Sequence, residues 1–442
     1  MPAANAVDAG VVWTSRTSAA NNSWTSVTYG NGFFVAVSTN GSGNRVMTSP
    51  DGITWTIQTS AANNQWNSVT YGGPDGQRLF VAVASTGIGN RVMTSPDGIT
   101  WTPQASAIDD NWNSVTYGGP DGQRQFVAVA DTADDHPIMT SPDGITWTAQ
   151  TFGYNSQWSS VTYGGPDGDQ NFVAVTSNPG VNGLNSVMTS PDGITWTIRD
   201  AASSNRWSSV TYGGPDGDRK FVAVSKTGSG NRVMTSPDGI TWTSQASASD
   251  NNWTSVTFGN GLFVAVATSG SDNRVMTSPD GITWTIQTSA ANNPWTSVTY
   301  VNGLFVAVAT NGNGNRVMTS GLITPAVTSV SPASGSTTGG TAITITGAGF
   351  LTGATVTVGG IVCSSPAVVS ATSITCSTGA HAAGLVDVVV RNPNTQTGTG
   401  SGLFTYQYQS AAVPTLSEWS QMLLGLMVMM LIGWHFHRER SY

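Results

Sequence analysis

Apolar and polar positions alternate along most of the chain in short bursts bounded by Gly, Asn, Asp or Pro, the pattern of strands and tight turns rather than helices. The bursts recur. The phrase W-x-S-V-T-[Y/F] begins at Trp24, Trp66, Trp112, Trp158, Trp207, Trp253 and Trp295, at spacings of 42, 46, 46, 49, 46 and 42. Each copy continues through F-V-A-V and V-M-T-S or I-M-T-S, and the first six then run S-P-D-G-I-T-W-T. The first copy thus predicts four strands, Trp24 to Tyr29, Phe33 to Val37, Arg45 to Ser49 and Ile53 to Gln58. Four-stranded units at this period predict a β-propeller, whose radial closure leaves only short sheet edges.

The ends of the repeat predict how the ring closes. The seventh copy stops at Arg316-Val317-Met318-Thr319-Ser320 without its W-T strand, and the chain opens with an orphan one, Val11-Val12-Trp13-Thr14-Ser15-Arg16. Seven complete blades require the N-terminal strand to pair with the last blade, giving an all-β, seven-bladed propeller over residues 11–320. The repeated Trp, Tyr and Phe, and the N-R-V-M arginines, are expected to pack between blades.

Composition narrows the function. Charged residues make up only 9% of the chain, Lys occurs only at 220 and 226 and Glu only at 418 and 439. A net charge of −8 gives no footprint for a phosphate backbone and excludes nucleic acid as a partner. No Ser/His/Asp set, zinc-type spacing or phosphate loop is present.

The six turns from Ser49-Pro50-Asp51-Gly52-Ile53-Thr54-Trp55 to Ser278-Pro279-Asp280-Gly281-Ile282-Thr283-Trp284 resemble the Asp-box of sialidase-type (BNR-repeat) propellers, one residue shorter between Asp and Thr. The resemblance implies a structural role for the Asp, with its carboxylate on backbone amides and Gly at positive φ. Sialidase chemistry does not carry over, because its nucleophilic tyrosine needs a glutamate and none precedes Glu418. No catalytic residue is assigned.

Strand order puts the first-to-second turns (G-N-G or G-G-P-D-G) and the S-P-D-G turns on one face, nearly uniform between copies. The other connections share the opposite face, where the copies differ and a site is expected. The third copy carries Asp109-Asp110 and Asp131-Thr132-Ala133-Asp134-Asp135-His136 in two loops that open on one face, either a solvated acidic patch or a set of oxygens that suits Ca²⁺; no other cofactor is expected. In the next entry loop, Phe152, Tyr154 and Asn155 are candidates for glycan stacking, although local packing of the two rings is the expectation favoured over it.

From Pro325 the composition changes. Ser331-Pro332, Gly339-Gly340-Thr341, Gly347-Ala348-Gly349-Phe350 and a closing L-F-T-Y resemble the IPT/TIG family of immunoglobulin-like β-sandwiches over residues 325–408, which implies a spacer or interaction module. Cys363 and Cys376, without neighbouring His, favour a disulfide over a metal site and an oxidising compartment.

The tail joins Val413-Pro414-Thr415-Leu416 to an apolar stretch, residues 419–436, and a basic end with Arg438 and Arg440. Eighteen helical residues reach about 27 Å, against a hydrocarbon core of about 30 Å. Residues 413–440 together resemble the IPTL-CTERM sorting signal of Gram-negative bacteria. The resemblance implies export, a membrane-anchored precursor with the arginines cytoplasmic, processing by an exosortase-like peptidase, and a final place at the cell surface or outside the cell. The N-terminal residues show no export signal, so the expectation is a start further upstream or a trimmed leader. The function expected from these parts is non-catalytic binding of a glycan, matrix component or surface protein. The alternatives are a divergent glycan-active hydrolase or lyase, and a structural surface or biofilm component.

Overall fold

The computed structural model describes residues 9–131, 136–153, 156–178, 185–351, 353–393, 396–408 and 416–438. Seven antiparallel four-stranded sheets follow one another, each in simple up-and-down order. The first blade comprises Trp24–Gly30, Phe33–Ser38, Val46–Ser49 and Thr56–Gln58. Its fourth strand starts later than the alternation predicts. The reason is local: Asp51 Oδ1 accepts the amides of Ile53 and Thr54, each at 2.8 Å, and holds both residues in the turn.

The ring closes as expected. Thr14–Arg16 pairs with Val317–Gly321, Thr14 opposite Thr319 and Arg16 opposite Val317. The clasp copies the turn it replaces, in two pieces. Gly10 N donates to Ser320 Oγ at 2.7 Å and Trp13 Nε1 to Gly10 O at 2.9 Å, as Gly98 N and Trp101 Nε1 do within the second blade.

The W-x-S-V phrase is the joint between blades. Residue x sits in a bulge after the Trp and donates to the next Trp carbonyl: Thr25 Oγ1 to Trp66 O at 2.7 Å, Asn67 Nδ2 to Trp112 O at 2.9 Å, Ser159 Oγ to Trp207 O at 2.6 Å. The Ser accepts the next Val amide, as Ser26 Oγ does from Val69 N at 3.1 Å. The last blade hands both bonds to the first, Thr296 Oγ1 to Trp24 O at 2.7 Å and Val27 N to Ser297 Oγ at 3.1 Å. Position x varies among Thr, Asn and Ser because each offers a short donor. Inner-strand groups that no fifth strand could satisfy are thereby paired. Between blades lie the seven inner Trp residues, each with 0% exposure, and the F-V-A-V strands.

The repeated arginines tie loops instead of filling the core. Arg45 donates to Gly41 O, Thr39 O and, in the next blade, Asn64 O, all at 2.8 Å.

The second domain is a sandwich of a four-stranded and a five-stranded sheet, centred on Ile343, Ile345, Val356, Ile374, Val388 and Phe404. A disulfide joins Cys363 to Cys376, with Cα atoms 5.8 Å apart. The linker binds the propeller directly: Leu322 N donates to Gly303 O at 3.1 Å and Thr324 N to Asn302 O at 2.9 Å. Leu351 of the sandwich packs on a cluster containing Leu304 and Ile323. A helix, Leu416–Arg438, ends the chain, and its stretch Trp419–His437 is long and apolar enough to cross a membrane.

Candidate functional site

The first-to-second turns divide into two contiguous sets. Copies one, six and seven have the short G-N-G or V-N-G turn, and copies two to five the longer G-G-P-D-G. Closure makes the short set continuous, and two of its members carry the second domain. A side chain at Gly32 would run into Ala371 of the sandwich, and one at Gly349 into Thr324 O beside Asn302. The long turns of blades two to five stand around the remainder of that face.

Between the long turns of blades two and three lies a cavity of about 570 Å³, lined by Tyr71, Tyr117, Arg78, Arg124, Asp75 and Asp121 together with glycines and Pro74. Pro74 O accepts Gln77 N at 2.9 Å and Gly76 adopts φ 79°, which shapes the turn. Arg78 Nη2 meets Asp75 Oδ1 at 2.8 Å and Arg124 Nη2 meets Asp121 Oδ1 at 2.6 Å. The carboxylates are almost fully exposed and the guanidinia half-exposed, so these pairs contribute little to stability and can exchange for a ligand's groups.

The tyrosines lean across blade boundaries. Each covers the glycine ending the previous inner strand, so that a Cβ on Gly72 would overlap the Tyr117 ring. Burial pushes both phenols up, partly offset by Arg78 at Tyr71 and by Arg124 and Arg78 at Tyr117. Blade seven replaces the glycine with Val301; there Tyr29 packs beside Val301 and burial pushes its phenol up to about 12.

The candidates on the opposite face are placed as follows. Asp109 turns to the preceding blade, its two oxygens accepting Gly89 N at 2.7 and 2.9 Å with Arg91 at 3.6 Å, the place Asn63 takes against Gly43 N. Asp110 is buried and accepts Asn111 N at 3.0 Å. Asp131 forms a backbone bridge with Gln157; burial raises its carboxyl, and a hydrogen bond from Gln157 acts the other way. His136 is half-buried, and Asp134 and Asp135 lie outside the described residues. Among the described residues no three His, Cys, Asp or Glu side chains form a metal-holding group. Phe152 packs partly buried against the core around Trp158, while Tyr154 and Asn155 lie outside the described residues. Of the tail motif, Val413, Pro414, Thr415 and Arg440 also lie outside them; Leu416 and Arg438 bound the helix.

The cavity sits on the face whose turns look nearly uniform in sequence, and the tyrosines expected to be core line it. The available signal was the split between G-N-G and G-G-P-D-G turns.

Residues 325–408 match the family model of the IPT/TIG domain. No curated protein sequence matches the chain. Among solved structures the chain is similar to YCF48 from Cyanidioschyzon merolae, with 16% identity and a TM-score of 0.51 over 70% of this chain and 98% of that one. It is also similar to a structure described as YCF48 bound to D1 peptide, with 13% identity and a TM-score of 0.51 over 72% and 99% of the two chains. At these identities the likeness is one of fold.

Proposed function

We propose that this chain is an exported, membrane-anchored binding protein that does no chemistry and presents the long-turn face of its propeller to a protein segment. The observation that carries the reading is the cavity with paired Tyr71/Tyr117 and Arg78/Arg124, since tyrosine and arginine supply much of the binding energy at protein interfaces. A peptide bound by a protein of similar fold agrees with it. The C-terminal helix supports anchoring, and the resemblance of residues 413–440 to a sorting signal supports export and removal by an exosortase-like peptidase. The absence of Glu before position 418 and the use of one oxygen of each S-P-D-G carboxylate to hold the backbone amides of its own turn support a non-catalytic role.

The test is selection of a random peptide library on the purified chain in detergent, with a glycan array in parallel. Peptides should be enriched whose binding falls at least tenfold in Tyr71→Ser/Tyr117→Ser. Enrichment unaffected by that variant, or glycan binding with no peptide, overturns the reading. Anchoring is tested separately: a chain ending at residue 412 should leave the membrane fraction, and one that stays there overturns the anchor.

A further inference from the structure

The seam between the two domains holds a second cavity, of about 330 Å³ and unrelated to the long turns. Its walls come from three parts of the chain: the blade-one turn (Pro50, Asp51, Ile53), the last blade and linker (Leu304, Leu322, Ile323), and the sandwich (Leu351, Pro393). Clefts of this size at domain seams, mostly apolar with few polar groups, are the usual form of small-molecule sites. The sandwich and last-blade walls are held in place. Buried Asn392 accepts Leu351 N at 3.1 Å and donates to Gly349 O at 2.7 Å, and Leu304 and Ile323 are themselves buried.

Asp51 is the only charged residue among those lining the cleft. Its Oδ1 accepts Ser49 Oγ at 2.9 Å and the amides of Ile53 and Thr54, and no described residue donates to Oδ2. Arg16 hydrogen-bonds Thr319 Oγ1 at 2.8 Å; it feels the charge of Asp51 but forms no direct ion pair with it among the described residues. Asp51 thus lines a cleft made by the second domain, and its Oδ2 accepts no hydrogen bond from the described residues. We infer that this seam binds a small apolar amine, its body against Ile53, Leu304, Ile323 and Leu351 and its ammonium on Asp51.

Benzylamine and its uncharged counterpart toluene, titrated calorimetrically into the full chain in micelles and referenced to micelles alone, test this. Benzylamine should bind saturably and toluene more weakly. Asp51→Asn keeps the Oδ1 that holds the turn and should weaken benzylamine about tenfold or more, the usual size of a hydrogen bond to a charged group. Leu351→Trp, which fills the cleft, should abolish binding of both; Ile53→Trp does so from the opposite wall if the first variant does not fold. No saturable benzylamine binding, or binding that survives a folded cleft-filling variant, overturns the site. Equal affinity for the two probes overturns the role of Asp51.

Discussion

Ring closure by the N-terminal strand makes Trp13 equivalent to tryptophans with unbroken chain on both sides. Trp13 and Trp55 are each 8% exposed, each donates Nε1 to a glycine carbonyl three residues earlier, at 2.9 and 3.0 Å, and each lies against a core Phe, with ring centroids 6.3 and 6.5 Å apart. Truncating a buried Trp to Ala costs about 3–5 kcal/mol. In a domain of this length about 2 °C is lost per kcal/mol, so Trp13→Ala and Trp55→Ala should each lower the transition by roughly 6–10 °C. Thermal unfolding of the full chain in micelles, followed by near-ultraviolet circular dichroism, measures both. If Trp13→Ala shifts the transition by less than about 2 °C while Trp55→Ala shows its full effect, the clasp contributes nothing and the closure argument fails.

Gly72→Ala puts a methyl group into the Tyr117 ring and should destabilise by about 1–3 kcal/mol in chemical denaturation, whereas Gly76→Ala, with open space around it but φ 79°, should cost only the backbone strain. Asp109→Asn should leave stability within about 0.5 kcal/mol, because Asn63 holds Gly43 N in the same way, while Asp109→Ala should cost about 1 kcal/mol or more; added Ca²⁺ raising the melting temperature of wild type but not of Asp109→Asn would show the carboxylate serving an ion instead. Tyr29 titrates near 12 when folded and near 10 when unfolded, so its contribution is whole below pH 10 and is lost as pH rises to about 12. Tyr29→Phe should therefore flatten the alkaline loss of stability between those limits, and an unchanged slope refutes the assignment.

The fold was legible in the sequence because the same four-strand phrase recurs and its two ends are complementary: Val11 to Arg16 supplies what the copy ending at Ser320 lacks. The domain joint was legible as a change of composition at Pro325. The role of W-x-S-V was not, because its hydrogen bonds run from one copy to the next and periodicity within a copy carries no trace of them. The tyrosines were assigned to the core on residue type; Tyr71 and Tyr117 do pack against the cores of their blades, each over a glycine of the previous blade, but they also line the cavity, which residue type could not show. Asp109 looked like part of a blade-three patch because it neighbours Asp110 in sequence, yet successive residues of that loop serve different blades.

Adjacency around a closed ring differs from adjacency along a chain, and this locates both cavities. Copies six, seven and one are split between the two ends of the repeat, so their short turns look like scattered exceptions in the sequence. Closed into a ring they become one low arc, where the sandwich meets blades seven and one at Asn302, Gly303 and Gly32. A longer G-G-P-D-G turn in blade one or seven would occupy the space that Ala371 and the Leu322–Thr324 linker now fill. The long turns therefore stand only where the second domain is absent, and turn length leaves one arc to the domain and keeps the cavity between blades two and three clear of it. Exchanging the turns of blades one and two should displace the sandwich and open the seam while leaving the W-x-S-V ring, which lies within the inner strands, intact.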